Sequence, residues 1–201
     1  MSRTGAYLFA MLCGVVPAAL ALGCLWPLRG RRLARLGLRS PWEREAVLTL
    51  FWMFCGGMAV LTLTPRWVIW SLVDCLHGYR WNAGGYPFFV LGEISLVPFQ
   101  TFQPDGHSLY ILLGNIIMFL PFGFFPALLW RGYVWKRALV TGLCVTGFIE
   151  CWQLFIGRAF DIDDLMLNTL GTLCGFWLWL LLKRMAPAFA ERFQVQEKSV
   201  T

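Results

Sequence analysis

Phe148 to Gly175 reads FIECWQLFIGRAFDIDDLMLNTLGTLCG. Two apolar runs meet at a short polar turn, and Glu150, Gln153, Arg158, Asp161, Asp163, Asp164 and Asn168 fall inside or beside them. An ionisable group at mid-depth in hydrocarbon costs about 3 kcal/mol, so such groups usually face a bundle interior or a wet cavity and mark function. The stretch therefore reads as two antiparallel membrane helices that carry a polar cluster near one membrane face.

The rest of the chain has the same character. It has 201 residues, 58% hydrophobic and only 14% charged, which is unusual for a soluble domain. The apolar content lies in long blocks. Residues 5–28, 46–65, 108–130 and 165–182 carry no charge, and 138–156 carries only Glu150. Each block is close to the roughly 17–25 residues that span a bilayer. A soluble core holds one such run, hardly five. The expected fold is an all-α membrane protein, a bundle of about five transmembrane helices in the cell membrane. Residues 1–195 form a single transmembrane domain, followed by a polar, mobile tail at 196–201. The first run is expected to stay as a helix, because it is long for a signal peptide and is followed by a basic stretch instead of a small-residue cleavage site.

Charge sets the orientation. Arg29, Arg31, Arg32, Arg35, Arg39 and Arg44 lie between the first two runs, Arg131, Lys136 and Arg137 between the third and fourth, and Lys183, Arg184, Arg192 and Lys198 after the fifth. On the other side stand only Arg3, Arg66, Arg80 and Arg158. The positive-inside rule then places the amino terminus outside and the carboxyl terminus in the cytoplasm. The net charge of +6 is a topology signal, and no nucleic-acid partner is expected. The partner it implies is the lipid bilayer, with the Arg-rich first loop on anionic headgroups. All cysteines but Cys75 lie in apolar runs and none form a CxxC pair, so they read as packing residues. No metal or cofactor is expected.

The loop 65–107 opens with RWVIWSLV, whose tryptophans suit a membrane interface. It continues through the aromatic stretch HGYRWNAGGYPFF and closes with LGEISLVPFQTFQPDG. So long a loop, so rich in aromatics, reads as an ordered external cap.

Helical spacing sorts the polar cluster. Gly142, Thr146, Glu150, Gln153 and Gly157 form one stripe on the fourth helix, and Asp164, Asn168, Gly171 and Gly175 form one on the fifth. The simplest arrangement sets the two stripes face to face, with the small residues letting the backbones approach. At 1.5 Å per residue, Asn115, Glu150 and Asn168 lie at about the same depth. Pro121 in NIIMFLPFGFF frees the carbonyl of Ile117 just below Asn115, with Gly123 adjacent. That proline either opens space there or is an ordinary membrane proline satisfied by neighbours. Asp161 is placed to cap the fifth helix, and Asp163 or Asp164 suits its positive end. Arg158 can pair with any of these acids. Capping explains one Asp, not three. Glu150 is either a structural hydrogen-bonding residue or a ligand, ion or proton site.

LVPF at Leu96–Phe99, NIIMFLPFGFFPALL from Asn115, and E-x2-Q, G-R, D-x-D-D and N-x2-G from Glu150 together resemble the VanZ-like family of bacterial membrane proteins over about 91–182. The family is named for a protein linked to low-level resistance to teicoplanin, a glycopeptide that binds the cell-wall precursor. The resemblance singles out Asn115, Pro121, Gly123, Glu150, Gln153, Arg158, Asp161, Asp164, Asn168 and Gly171. It implies a role in the cell envelope or in glycopeptide resistance through an acidic and polar pocket at the outer face. The implied partner is a cell-wall precursor, a lipoglycopeptide or another envelope component. Two alternatives stand beside this: an enzyme acting on a lipid-linked envelope substrate, and a small carrier using Glu150. Catalysis is left undecided and disfavoured, since no His lies near the cluster and no Ser or Cys stands beside an obvious base.

Overall fold

The structure, a computed structural model, describes residues 3–79, 86–100 and 106–197. Two parts of the expected cap, 80–85 and 101–105, and the end of the tail, 198–201, lie outside the described residues. The helices are α1 (Arg3–Arg35), α2 (Trp42–Leu63), α3 (Arg66–Leu76), α4 (Gly106–Leu129), α5 (Trp135–Phe155), α6 (Ile162–Met185) and α7 (Pro187–Glu191). Five of them, α1, α2, α4, α5 and α6, are long and apolar enough to cross a membrane. They correspond to the five apolar runs. Leu8, Leu12, Val16 and Leu20, one turn apart on α1, are each more than half exposed, as a lipid-facing stripe requires.

Local chemistry sets the ends. Asp161 caps α6 by accepting the Asp163 N–H at 2.9 Å, and Lys183 and Arg184 in its last turn complement the dipole. Gly132, at φ +74°, makes the turn between α4 and α5. Pro121 does not break α4, which stays helical through it and through Pro126, a proline the sequence reading passed over.

Within the bundle α6 is the central element, packed on both α4 and α5, while α1 pairs with α2 and α2 touches α4. Here one expectation is corrected. Gly171 and Gly175 do not form the seam with α5. A Cβ at Gly171 would overlap the Ile116 carbonyl and one at Gly175 the Leu120 carbonyl, both on α4. From the other side, a Cβ at Gly123 would overlap the Thr172 carbonyl. The α5 contact lies elsewhere on α6, where Gly142 meets Thr169 and Thr172, with a Cβ at Gly142 falling 3.1 Å from the Thr172 Cβ. Thr172 sits about 100° round the helix from Gly171, at 100° per residue. The single stripe read from spacing is thus split between two neighbours. A second close approach, Gly14 of α1 against Gly56 of α2, escaped the sequence reading although Gly14 and Ala18 have small-residue spacing.

The loop after α2 is more structured than a surface cap. It begins with the helix α3, which buries Ile69, Ser71 and Val73. Further on, β2 (Ile94–Ser95) runs parallel to β3 (Phe160–Asp161) beside the α5–α6 turn. The tail also has a fixed start: β4 (Gln196–Glu197) pairs antiparallel with β1 (Leu38–Arg39), tying the carboxyl-terminal segment to the first basic loop.

Candidate functional site

The end of the bundle that holds the α5–α6 turn is organised by side chains that take up backbone groups. The amides of Val90 and Gly92 donate to the Phe155 and Leu154 carbonyls at 2.9 and 2.7 Å, and the Phe160 amide donates to the Glu93 carbonyl at 2.8 Å. The first two bonds satisfy carbonyls that the last turn of α5 leaves without partners. Gly92 lies so close to the turn that a Cβ would overlap the Arg158 carbonyl. Residues 90–95 thus form a strap across the turn. Asp163, 1% exposed, holds its continuation by accepting the Phe99 N–H at 2.6 Å. Phe99 adopts φ +68°, a left-handed conformation that a bulky residue rarely takes without such support.

Glu150, 2% exposed, accepts the Asp161 N–H at 3.0 Å through Oε2 and so fixes the turn to α5. One turn deeper, Asn168 donates to Thr146 Oγ1 at 3.0 Å, and the Thr172 hydroxyl donates to the Asn168 carbonyl at 3.1 Å. Asn115 on α4 donates to Asp164 on α6. The equal depth of Asn115, Glu150 and Asn168 therefore does not make them partners. Each bonds a different group, in layers that run from the turn into the bundle.

Gln153 and Arg158 also reach toward α2. Gln153, about 60° round α5 from Glu150 at 100° per residue, points toward α2 and donates to the Thr62 carbonyl at 3.3 Å. Arg158 donates to the Leu61 and Thr62 carbonyls, both at 3.3 Å, and Trp152 donates to the Leu63 carbonyl at 2.8 Å. The three side chains together satisfy the exposed carbonyl end of α2, a common task for Arg near a helix C-terminus.

Beside these groups lies a cavity of about 980 Å³ between the end of α2, the start of α3, the strap, α4 and the turn. Asn115, Gln153, Arg158, Asp161 and Asp164 line it, joined by Arg66, Trp67 and Tyr86. Glu150, Asp163 and Asn168 do not line it and stand behind its wall. The expected acidic pocket is thus corrected to a mixed one, because Arg66 and Arg158 face the same space as Asp161 and Asp164. Arg66 is the charged lining residue the sequence reading missed, beside Trp67 and Tyr86. Its signal was a lone Arg between Pro65 and Trp67 at the end of an apolar run. The volume is in the usual range for small-ligand sites, and the charge pattern suits a group that carries both signs. Among the described residues, no three His, Cys, Asp or Glu side chains converge as metal ligands.

A family model described as VanZ/LLP1 matches residues 46–183, more than half of the chain. The match reaches beyond the 91–182 expected from the motifs and takes in most of α2 and all of α3, so every cavity-lining residue falls within it. No curated protein and no solved structure matches the chain.

Proposed function

The chain belongs to the VanZ/LLP1 family and is a multi-pass membrane protein; from that premise we propose that it binds a polar, charge-bearing group of an envelope component at the outer face of the cytoplasmic membrane. The occupant is a cell-wall precursor or a lipoglycopeptide such as teicoplanin, and the consequence is glycopeptide resistance. One observation carries the reading: Arg66, Arg158, Asp161 and Asp164 line a single cavity together with Trp67 and Tyr86. Such a wall receives a carboxylate or phosphate on one side and an ammonium on the other, while the aromatic rings cover an apolar body. Glu150 and Asp163 act as positioning residues, since both spend a carboxylate oxygen on a backbone amide. That use favours binding over the enzyme and carrier alternatives, which need those carboxylates for a metal or a proton.

The test is teicoplanin susceptibility of a sensitive host expressing the parent, Arg66→Gln or Asp164→Asn, with membrane abundance measured in parallel. The parent is expected to protect. Loss of one charged contact costs about 1.5–3 kcal/mol, or roughly tenfold or more in affinity, so each variant should lose most of that protection at equal abundance. A parent that gives no protection sinks the resistance reading. Variants that protect as well as the parent sink the cavity.

The proposal also needs the cavity outside. The basic loops argue for that orientation, with the amino terminus outside and the carboxyl terminus in the cytoplasm. In a Cys-free background, Gly106→Cys should react with an impermeant thiol reagent in intact cells and Ala34→Cys should be shielded. The reverse labelling would invert the topology and remove an external ligand.

A further inference from the structure

At the opposite end of the bundle, where α4 and α6 finish and α7 folds back beneath them, lies a second cavity of about 400 Å³. Asp164 and Trp179 are fifteen residues apart on α6, which at 1.5 Å per residue puts the two cavities about 22 Å apart. Arg131, from the α4–α5 turn, and Lys183, from the last turn of α6, line this second cavity with Trp130, Trp179, Glu191 and Gln194. Both cations are exposed, and among the described residues neither has a carboxylate within ion-pair distance. Lys183 Nζ is instead held over the Trp179 ring, 5.2 Å from its centroid.

Two residues of the wall also hold buried polar atoms without partners. Trp179 and Gln194 are each 9% exposed. The indole Nε1–H of the first and the amide Oε1 of the second are buried without a hydrogen-bond partner, although Gln194 Nε2 donates to the Leu128 carbonyl. Buried polar atoms without partners are uncommon and call for an explanation. The cavity itself presents Arg131 and Lys183, two cations with no carboxylate partner among the described residues.

We propose that this cavity binds a phosphate ester carrying its own hydrogen-bond donor, the chemistry of a glycerol- or ethanolamine-type phospholipid headgroup. The phosphate lies between Arg131 and Lys183. The headgroup hydroxyl or ammonium turns to the Glu191 carboxylate. The carbonyl ends of α4 and α6 make this side partly negative, which disfavours a bare anion and favours a headgroup with a donor. A choline head has no N–H or O–H and fits less well. A lipid source is favoured over a soluble one because the cavity sits at the ends of two membrane-spanning helices beside Trp130, which is 45% exposed.

Thermal unfolding of the full chain in detergent tests this, with phosphatidylglycerol, phosphatidylethanolamine, phosphatidylcholine or soluble glycerol 3-phosphate added. The first two should raise the melting temperature by about 5 °C at large excess, and phosphatidylcholine should not. Arg131→Gln/Lys183→Gln, compared with its own lipid-free melting temperature, should lose the response. Lys183→Arg should keep it. Arg31→Gln/Arg32→Gln, which removes the same charge from the first basic loop, should also keep it. Glycerol 3-phosphate acting as strongly as the lipids would support the phosphate site and assign it to a soluble ester. An equal response from phosphatidylcholine, from the Arg131/Lys183 variant, or its loss in the Arg31/Arg32 variant would overturn the site, as would no response to any addition.

Discussion

Gly175→Leu should destabilise the protein by about 1–3 kcal/mol or prevent its accumulation altogether. In membranes, helices associate by van der Waals contact and interhelical hydrogen bonds, so the distance between backbones decides how much attraction is available. Gly171 and Gly175 on α6 lie against the Ile116 and Leu120 carbonyls of α4, and Gly123 on α4 lies against the Thr172 carbonyl of α6. The seam is therefore glycine on both sides, with backbone facing backbone. Backbone cannot rotate away as a side chain can, so a Leu at position 175 must push α6 off α4. Because α6 also carries Asp164, that shift would pull apart its bond to Asn115 as well. The comparison is Gly147→Leu on α5, where a Cβ meets nothing within 4 Å. Gly132 is a poorer control, since its φ of +74° would strain any substituent. The readout is thermal unfolding in detergent together with membrane abundance. Equal melting of Gly175→Leu and Gly147→Leu would reject the seam.

The five spans were legible because each is a block of uncharged residues as long as a bilayer is thick, and nothing else in the chain competes with that signal. Asp161 was legible as a cap because Asp before a helix has one local task, which needs no knowledge of the rest of the fold. Partners across the bundle were not legible. A spacing of three and four defines a stripe but not the neighbour it faces, and α6 has two neighbours. Gly171 and Gly175 therefore went to α4 while Thr172 and Asn168 went toward α5. Gln153 and Arg158 turned toward α2 for a similar reason. The carbonyl end of α2 has no sequence signature, yet it needs donors, and the α5–α6 turn supplies them. The strap 90–95 was invisible because its backbone amides and carbonyl, not its side chains, do the bonding.

Glu150 gives the sharpest separation between a structural carboxylate and a working one. It is the only Asp, Glu, Lys or Arg inside the five apolar runs, it is 2% exposed, and its Oε2 receives the Asp161 amide. Glu150→Gln keeps an oxygen at that amide and keeps the volume, so the variant should fold and protect much as the parent does. Glu150→Leu leaves the amide without an acceptor in a site that water reaches poorly, at a cost of about 1–3 kcal/mol. The loss should not stop at stability. Asp161 lines the large cavity and caps α6, so freeing its amide loosens the turn that forms one wall. Glu150→Leu is expected to melt earlier and to lose protection, while Glu150→Gln does neither. The measurement pairs thermal unfolding with teicoplanin susceptibility at matched abundance. If Glu150→Gln were as stable and abundant as the parent yet gave no protection, the charge itself would be required, and Glu150 would have to carry a proton or a cation instead of holding the turn.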